Sequence, residues 1–213
     1  MSDRALVVDT GVGNLGNVVR ALEHLGARPE VSAAAQRVAG ARCLLLPGVG
    51  AFSPPREALR GPLEAALREA LSRGAWLLGI CVGFQLLFET GEEFGEVDGL
   101  GLLPGRVCRL GGGAPLPHIG WNRLHDFADH PLLAGLPASP YVYFVHSFAP
   151  RGVPAELRLA LATHGQAFPA IAGRGRVLGT QFHPERSGAT GLRLLANYLR
   201  LAGMAVSPAE ATP

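Results

Sequence analysis

Lysine is absent from this chain. All 19 basic residues among its 213 are arginines. A lysine Schiff base, a lysine general base and a Walker-type phosphate loop are therefore excluded. Coding bias toward arginine is the simple source of this composition, and the net charge is only +2. With no polybasic footprint, neither nucleic acid nor a membrane surface is an expected partner. Cysteine is scarce: Cys43, Cys81 and Cys108 form an odd set without metal-ligand spacing. No H-E-x-x-H or Cys/His cluster is present, so no metal and no cofactor is expected. Three unpaired thiols fit a reducing cytoplasm, and no secretory leader is expected ahead of the strand-like run Arg4 to Val8. Long apolar runs are missing too. Trp76 to Phe88 is the longest, too short to span a bilayer and interrupted by Gln85.

Apolar residues make up 48% of the chain and charged residues only 17%, which excludes a disordered chain and leaves ample material for a core. Short strand-like runs alternate with helical spacing. Leu6 to Asp9 reads as a strand, and Leu15 to Leu25 as a helix carrying Val18, Val19, Leu22 and Leu25 on one face. Arg42 to Leu46 is a second strand. Leu59, Leu63, Leu67 and Leu71 predict a helix over 55–72, and Ala75 to Ile80 a third strand. Apolar runs without alternation suit a parallel sheet covered by helices on both faces. Beyond Gly99 the expected strands are shorter and more antiparallel: 106–110, 119–124, 141–148, 158–164 and 177–182. A last helix is expected over 189–201. The expectation is one α/β domain over residues 1–203, a central mostly parallel sheet flanked by helices with added antiparallel strands in the C-terminal half. Residues 204–213 are expected to form a flexible tail.

The densest chemical signal is Gly79-Ile80-Cys81-Val82-Gly83-Phe84-Gln85. Cys81 follows a buried strand and precedes an expected helix over 82–89. This G-x-C-x-G frame is the thiol counterpart of a nucleophile elbow. Free backbone N–H groups at the helix start favour a thiolate. Cys43 and Cys108 lack such a frame and are expected in the core. A thiolate attacking a carbonyl needs a proton carrier. His183 ends an apolar strand and is followed by Pro184-Glu185. In extended chain, residues two apart face one side, so Glu185 is placed to orient His183 in a Cys–His–Glu triad. His146 is the rival base, but no carboxylate stands at comparable spacing, which favours a structural or substrate-lining role for it.

Pro47-Gly48-Val49-Gly50-Ala51-Phe52 leaves the second strand through a glycine-rich loop. Val49 and Gly50 N–H groups, with that of Val82, are the candidate oxyanion hole. Gly11-x-Gly13-x-x-Gly16 fits a dinucleotide fingerprint in spacing, yet no acidic residue follows at the required position.

The elbow together with Phe182-His183-Pro184-Glu185 resembles the class I, triad-type glutamine amidotransferases. Asp9 to Leu15, Pro47 to Phe52, Gly120-Trp121-Asn122 and Tyr143 to Ser147 are similar, in order, to the glutaminase subunits of imidazole glycerol phosphate synthases within that class. The resemblance implies that Cys81 attacks the side-chain amide of glutamine, and that ammonia leaves with a proton from His183. Water then hydrolyses the thioester to glutamate. It implies a glutamine pocket built from Gly50, Gln85, Glu93, Ser147 and Phe148, with Glu92 an alternative to Glu93. It also implies a (β/α)8-barrel cyclase subunit as partner in a heterodimer of histidine biosynthesis, met near Asn14, Trp121, Asn122, Tyr143 and Arg186. Arg186 and Phe148 depart from the lysine and tyrosine common in those subunits. A regulatory module keeping the fold without chemistry, and an amidotransferase serving another acceptor, are the competing possibilities.

Overall fold

The computed structural model describes residues 4–206. Residues 207–213 of the expected tail lie outside the described residues, whereas Met204 is buried and its N–H donates to Leu199. The order of elements begins β1 (Ala5–Val8), α1 (Leu15–His24), β2 (Pro29–Ser32), α2 (Ala35–Ala39) and β3 (Cys43–Gly48). It continues α3 (Ser53–Leu59), α4 (Pro62–Ser72), β4 (Trp76–Cys81) and α5 (Val82–Gln85). Short strands follow: β5 (Thr90–Gly91), β6 (Val97–Asp98), β7 (Arg106–Arg109), β8 (His118–Arg123), β9 (Tyr141–His146) and β10 (Phe148–Arg151). The chain closes with β11 (Arg158–His164), β12 (Gln166–Arg174), β13 (Val177–Thr180) and α6 (Gly188–Leu201).

β1, β3 and most of β4 are fully buried, as their unbroken apolar composition requires of strands covered on both faces. They sit in a seven-stranded sheet of order β11-β12-β13-β4-β3-β1-β2. The run from β13 to β2 is parallel, and β12 and β11 extend it antiparallel. Helices cover both faces through apolar stripes: Val18, Ala21 and Leu22 on α1, and Leu63, Ala66, Leu67 and Ala70 on α4. The Tyr198 hydroxyl reaches the carbonyls of Leu44 and Trp76 and pins α6 to β3 and β4. A four-stranded sheet, β10-β7-β5-β6, and a two-stranded antiparallel ribbon, β8-β9, stand beside the main sheet.

Several expected elements have different bounds. The single helix over 55–72 is two helices. Gly61 breaks it at φ 77°, and Pro62 restarts it at a position that needs no N–H donor. The strand over 141–148 is also two. The chain leaves the ribbon at Ser147, whose carbonyl accepts from Leu110, and enters the second sheet as β10. β2, α2 and β12 carry no signal that the periodicity revealed. β12 hides because Pro169 argues against an inner strand; a register shift in the β11–β12 ladder near this proline accommodates it.

The parallel register of β4 and β13 pairs Gly79 with Gly179 and Ile80 with Thr180. Both strands thus deliver their C-terminal residues to one edge of the sheet. Two glycines let the elbow lie flat on that edge. A Cβ at Gly83 would stand 1.7 Å from the Leu46 carbonyl oxygen, and one at Gly79 would stand 2.6 Å from the Gly83 carbonyl oxygen. We predict that Gly83→Ala lowers unfolding stability by about 3 kcal/mol, because the backbone of β3 has to retreat. Gly50→Ala meets no neighbour but has φ 78°, and is expected to cost about 1–2 kcal/mol. Urea unfolding compares the two, and equal losses would count against the packing role of Gly83.

Candidate active site

Cys81 stands at the carboxyl end of β4 with φ 55° and ψ −111°. A non-glycine residue there carries about 1–3 kcal/mol of backbone strain, held by surrounding structure. The expected helix over 82–89 is a single turn that ends at Gln85, with Leu87 and Phe88 N–H bonding three residues back. One turn has little macrodipole. The local electrostatic help comes instead from the Val82 amide, which helix geometry leaves without an intrahelical partner. The Cys81 sulfur is buried, 4.0 Å from the Val145 carbonyl oxygen and 4.0 Å from Gln181 Nε2.

His183 follows β13, the neighbour of β4. Its Nδ1 lies 2.8 Å from Glu185 Oε1, and the Glu185 side chain is 1% exposed. The contact does not arise from extended chain, as the spacing suggested. β13 ends at Thr180, and residues 184–186 form a 3-10 turn that folds the carboxylate back onto the ring. Ser187 locks this turn by donating to the His183 carbonyl at 2.6 Å and accepting the Tyr143 N–H at 3.0 Å. The His183 N–H donates to the Tyr143 carbonyl. A carboxylate only accepts, so Nδ1 carries a proton, while Nε2 is buried without a hydrogen-bond partner among the described residues. Burial alone pushes the imidazolium pKa down. The Cys81 sulfur and the Glu185 carboxylate outweigh it and hold His183 well above the ordinary histidine range.

These groups open into one cavity of about 280 Å³, lined by Val49, Gly50, Cys81, Val82, Gln85, Glu93, Ser147, Phe148 and His183. All the residues assigned above to the triad, the oxyanion hole and the glutamine pocket thus meet there or, for Glu185, touch a lining residue. Glu93 rather than Glu92 faces the cavity. Its Oε2 accepts the Phe52 N–H at 2.9 Å, while Glu92 turns outward to Arg106 at 2.6 Å. Gln85 Nε2 donates to the Phe148 carbonyl at 2.9 Å and to Gln181 Oε1 at 3.2 Å, which leaves its own Oε1 for a ligand.

Pro117, Val145 and His146 also line the cavity, and Gln181 supports it from below. His146 was expected in a structural or substrate-lining role and does line the cavity; of the others, only Gln181 carried a local signal, as a polar residue at the end of an apolar strand. His146 is not the base. Its Nδ1 meets the Phe148 carbonyl at 2.8 Å and its Nε2 meets His118 at 3.0 Å, so neither nitrogen is free. Burial pushes its pKa down to about 3. A larger, more open groove of about 640 Å³ over β7 and β10 contains no triad member, and its Arg106 is paired with Glu92 and Glu96. Among the described residues, no group of three or more metal-ligating side chains is placed to hold a metal.

The profile of class-I glutamine amidotransferase matches residues 6–201. The chain belongs to that family. It is 49% identical to "Imidazole glycerol phosphate synthase subunit HisH" of Symbiobacterium thermophilum, over 93% of this chain and 94% of the relative. Proteins of the same name from Salinibacter ruber and Methanosarcina barkeri are 45% and 42% identical, covering 92% of this chain in each case. A crystal structure of a glutamine amidotransferase superposes with TM-score 0.75 at 24% identity, over 94% of this chain and all of that one. PurLQS from Thermotoga maritima gives 0.72 at 22%, over 94% of this chain and 99% of that one. These two show the shared fold: a single α/β domain with a mostly parallel sheet.

Within this amidotransferase, Glu185 is one of the two groups, with the Cys81 sulfur, that raise the His183 pKa against burial. Removing it shifts the balance toward desolvation, so the imidazolium loses its proton at lower pH. We predict that the alkaline limb of the kcat/KM profile for glutamine moves to lower pH in Glu185→Gln, with turnover reduced about 10²-fold. His183→Ala is expected to lose at least tenfold more, since it removes the proton carrier itself. A limb that stays in place in Glu185→Gln would overturn this role.

Proposed function

We propose that this chain hydrolyses glutamine through a Cys81 thioester and supplies the ammonia to a cyclase subunit in histidine biosynthesis. The observation that carries this reading is the convergence of the strained Cys81, the Glu185-held His183 and the Val49–Gly50 loop on one cavity. The Cys81 thiolate attacks the amide carbon of glutamine. The negative oxygen that forms takes hydrogen bonds from the N–H of Val82 and of the Val49–Gly50 loop. As the carbon–nitrogen bond breaks, His183 Nε2–H gives its proton to the leaving nitrogen, and ammonia departs. His183, now neutral, takes a proton from water as the water attacks the thioester. The carbon–sulfur bond breaks and glutamate leaves, with thiolate and imidazolium restored. Gln85, Glu93 and the Ser147–Phe148 backbone hold the substrate's amino-acid end.

Ammonia released into neutral water is mostly protonated and no longer nucleophilic, so a docked acceptor suits the chemistry. The relatives' printed name, subunit of imidazole glycerol phosphate synthase, supports a cyclase partner, and we propose that this partner is a (β/α)8 barrel. The outer face of the β8–β9 ribbon is the surface that suits it. Trp121 is 56% exposed, meets Tyr143 edge-on at 6.2 Å, and Arg186 lies 4.6 Å over the Tyr143 ring. Aromatic and arginine side chains of this kind anchor interface centres. Asn14 stands at the start of α1, which packs on the 184–186 turn. Asn122 differs from the other four, because its amide turns inward to His118 and to the Thr163 carbonyl. Arginine at position 186 stacks where lysine would present a point charge, and Phe148 contributes its carbonyl, which needs no ring hydroxyl. Neither nucleic acid nor membrane enters this reading. Among the described residues no helix is long and apolar enough to cross a membrane. The three free thiols suit a cytoplasmic enzyme.

Cys81→Ala is expected to abolish glutamate release from glutamine in the presence of the cyclase subunit, while cyclase supplied with an ammonium salt keeps its activity. Retained glutamine-dependent turnover would sink the thioester. Trp121→Ala is expected to weaken association of the two subunits about 30-fold, read by titration calorimetry; a loss below twofold would move the interface elsewhere.

A further inference from the structure

The role of His146 as a base is closed, yet His146 is buried in the wall of the cavity, and His118, hydrogen-bonded to it, is buried as well. Their hydrogen bonds have only one consistent direction. The Phe148 carbonyl can only accept, so His146 Nδ1 donates to it at 2.8 Å. With its proton there, His146 Nε2 is a bare acceptor, and His118 Nδ1 donates to it at 3.0 Å. His118 Nε2 is then bare in turn and accepts from Asn122 Nδ2 at 3.1 Å, whose amide also donates to the Thr163 carbonyl at 2.9 Å. The rings are clamped. His118 stacks on Phe144 at 4.7 Å and on His164 at 4.2 Å, and Phe168 closes edge-on against both His118 and His146.

The chain of bonds does not stop at the carbonyl. Phe148 O accepts from Gln85 as well, Gln85 also donates to Gln181, and Gln181 Nε2 approaches the Cys81 sulfur. One polar line therefore runs from Asn122, flanked on β8 by the exposed Trp121 and Arg123, to the nucleophile. We propose that His118 and His146, each held in a single neutral tautomer, are positioning residues of the glutamine pocket. They fix the Phe148 carbonyl, and through it the Gln85 side chain, where the substrate is received. The proposal rests on the glutaminase reading and adds two residues that act on the pocket through the Phe148 carbonyl. Burial, with His164 beside His118, keeps the pair uncharged at neutral pH.

The test uses this chain in complex with its cyclase subunit. In His146→Leu the Phe148 carbonyl loses a donor, and KM for glutamine is expected to rise about tenfold while kcat changes less than threefold. His146→Asn places an amide N–H near the Nδ1 position and is expected to return KM to within threefold of the unaltered enzyme. His118→Leu leaves His146 Nε2 without a donor and is expected to raise KM about fivefold. A purely structural role would instead lower the melting temperature of all three variants without separating KM from kcat. Unchanged KM in both leucine variants, or no recovery in His146→Asn, overturns the proposal. Nitrogen-15 NMR of the unaltered chain is the measurement independent of variant folding and of activity. Protonated Nδ1 and unprotonated Nε2 on both histidines at pH 7 are expected, and any other tautomer overturns the proposal. An unaltered complex that releases no glutamate refutes the glutaminase reading while the tautomer measurement still stands.

Discussion

The parallel pairing of β4 with β13 is the constraint on which the active centre depends. Cys81, which ends β4, and His183, which follows β13, are far apart in sequence, and the two strands share no turn. The register that matches Gly79 with Gly179 carries both chain exits to the same sheet edge. Once there, each exit is bent by its own local device. β4 turns sharply at Cys81 into a one-turn helix, and the chain beyond β13 curls through Pro184 so that Glu185 meets His183. Without the sheet, neither bend has anything to face.

Backbone strain at Cys81 is sustained by the burial of the elbow and of the strands beside it. β3 and β4 have no exposed apolar side chain near the elbow, and Gly79 and Gly83 remove the atoms that would push the turn off the sheet. A thiol in the core of a strand would be inert, since burial raises its pKa, as it does for Cys43, up to about 12. Cys81 differs in place: it ends β4 on the wall of the cavity that His183 also lines. The same physics divides the histidines. His183 has a carboxylate and a sulfur beside it and is held charged, whereas His146 has only neutral partners and burial drives it neutral.

The ribbon joins the proposed docking face to the cavity. Tyr143 presents its ring outward under Arg186, while its backbone N–H and carbonyl bond Ser187 and His183. Asn122, one residue from Trp121, begins the line of bonds through His118 and His146. Alternation along β8 and β9 makes both possible. One face carries exposed Ile119, Trp121, Tyr141 and Val145; the other carries His118, Val142, Phe144 and His146 in the protein.

Much of the main sheet was legible in the residues themselves, because strands buried on both faces must be continuously apolar and helices covering them must show a stripe. The turn at Cys81 was legible for a related reason: a strained turn packed on a sheet needs glycines on either side of it, and Gly79 and Gly83 frame Cys81. The His183–Glu185 contact was expected from extended chain, but a 3-10 turn brings the two side chains together. Position along the chain could not tell Glu93 from Glu92, or show that Asn122 faces inward, because each depends on which neighbour the fold supplies. The break at Ser147 and the bulged strand around Pro169 were hidden for the same reason, whereas Gly61-Pro62 is itself a local signal for the break between α3 and α4. Local sequence therefore determined which elements form and which residue types carry the chemistry. Tertiary structure alone decided which side chains meet, because contacts across a parallel sheet join segments that are far apart in the chain.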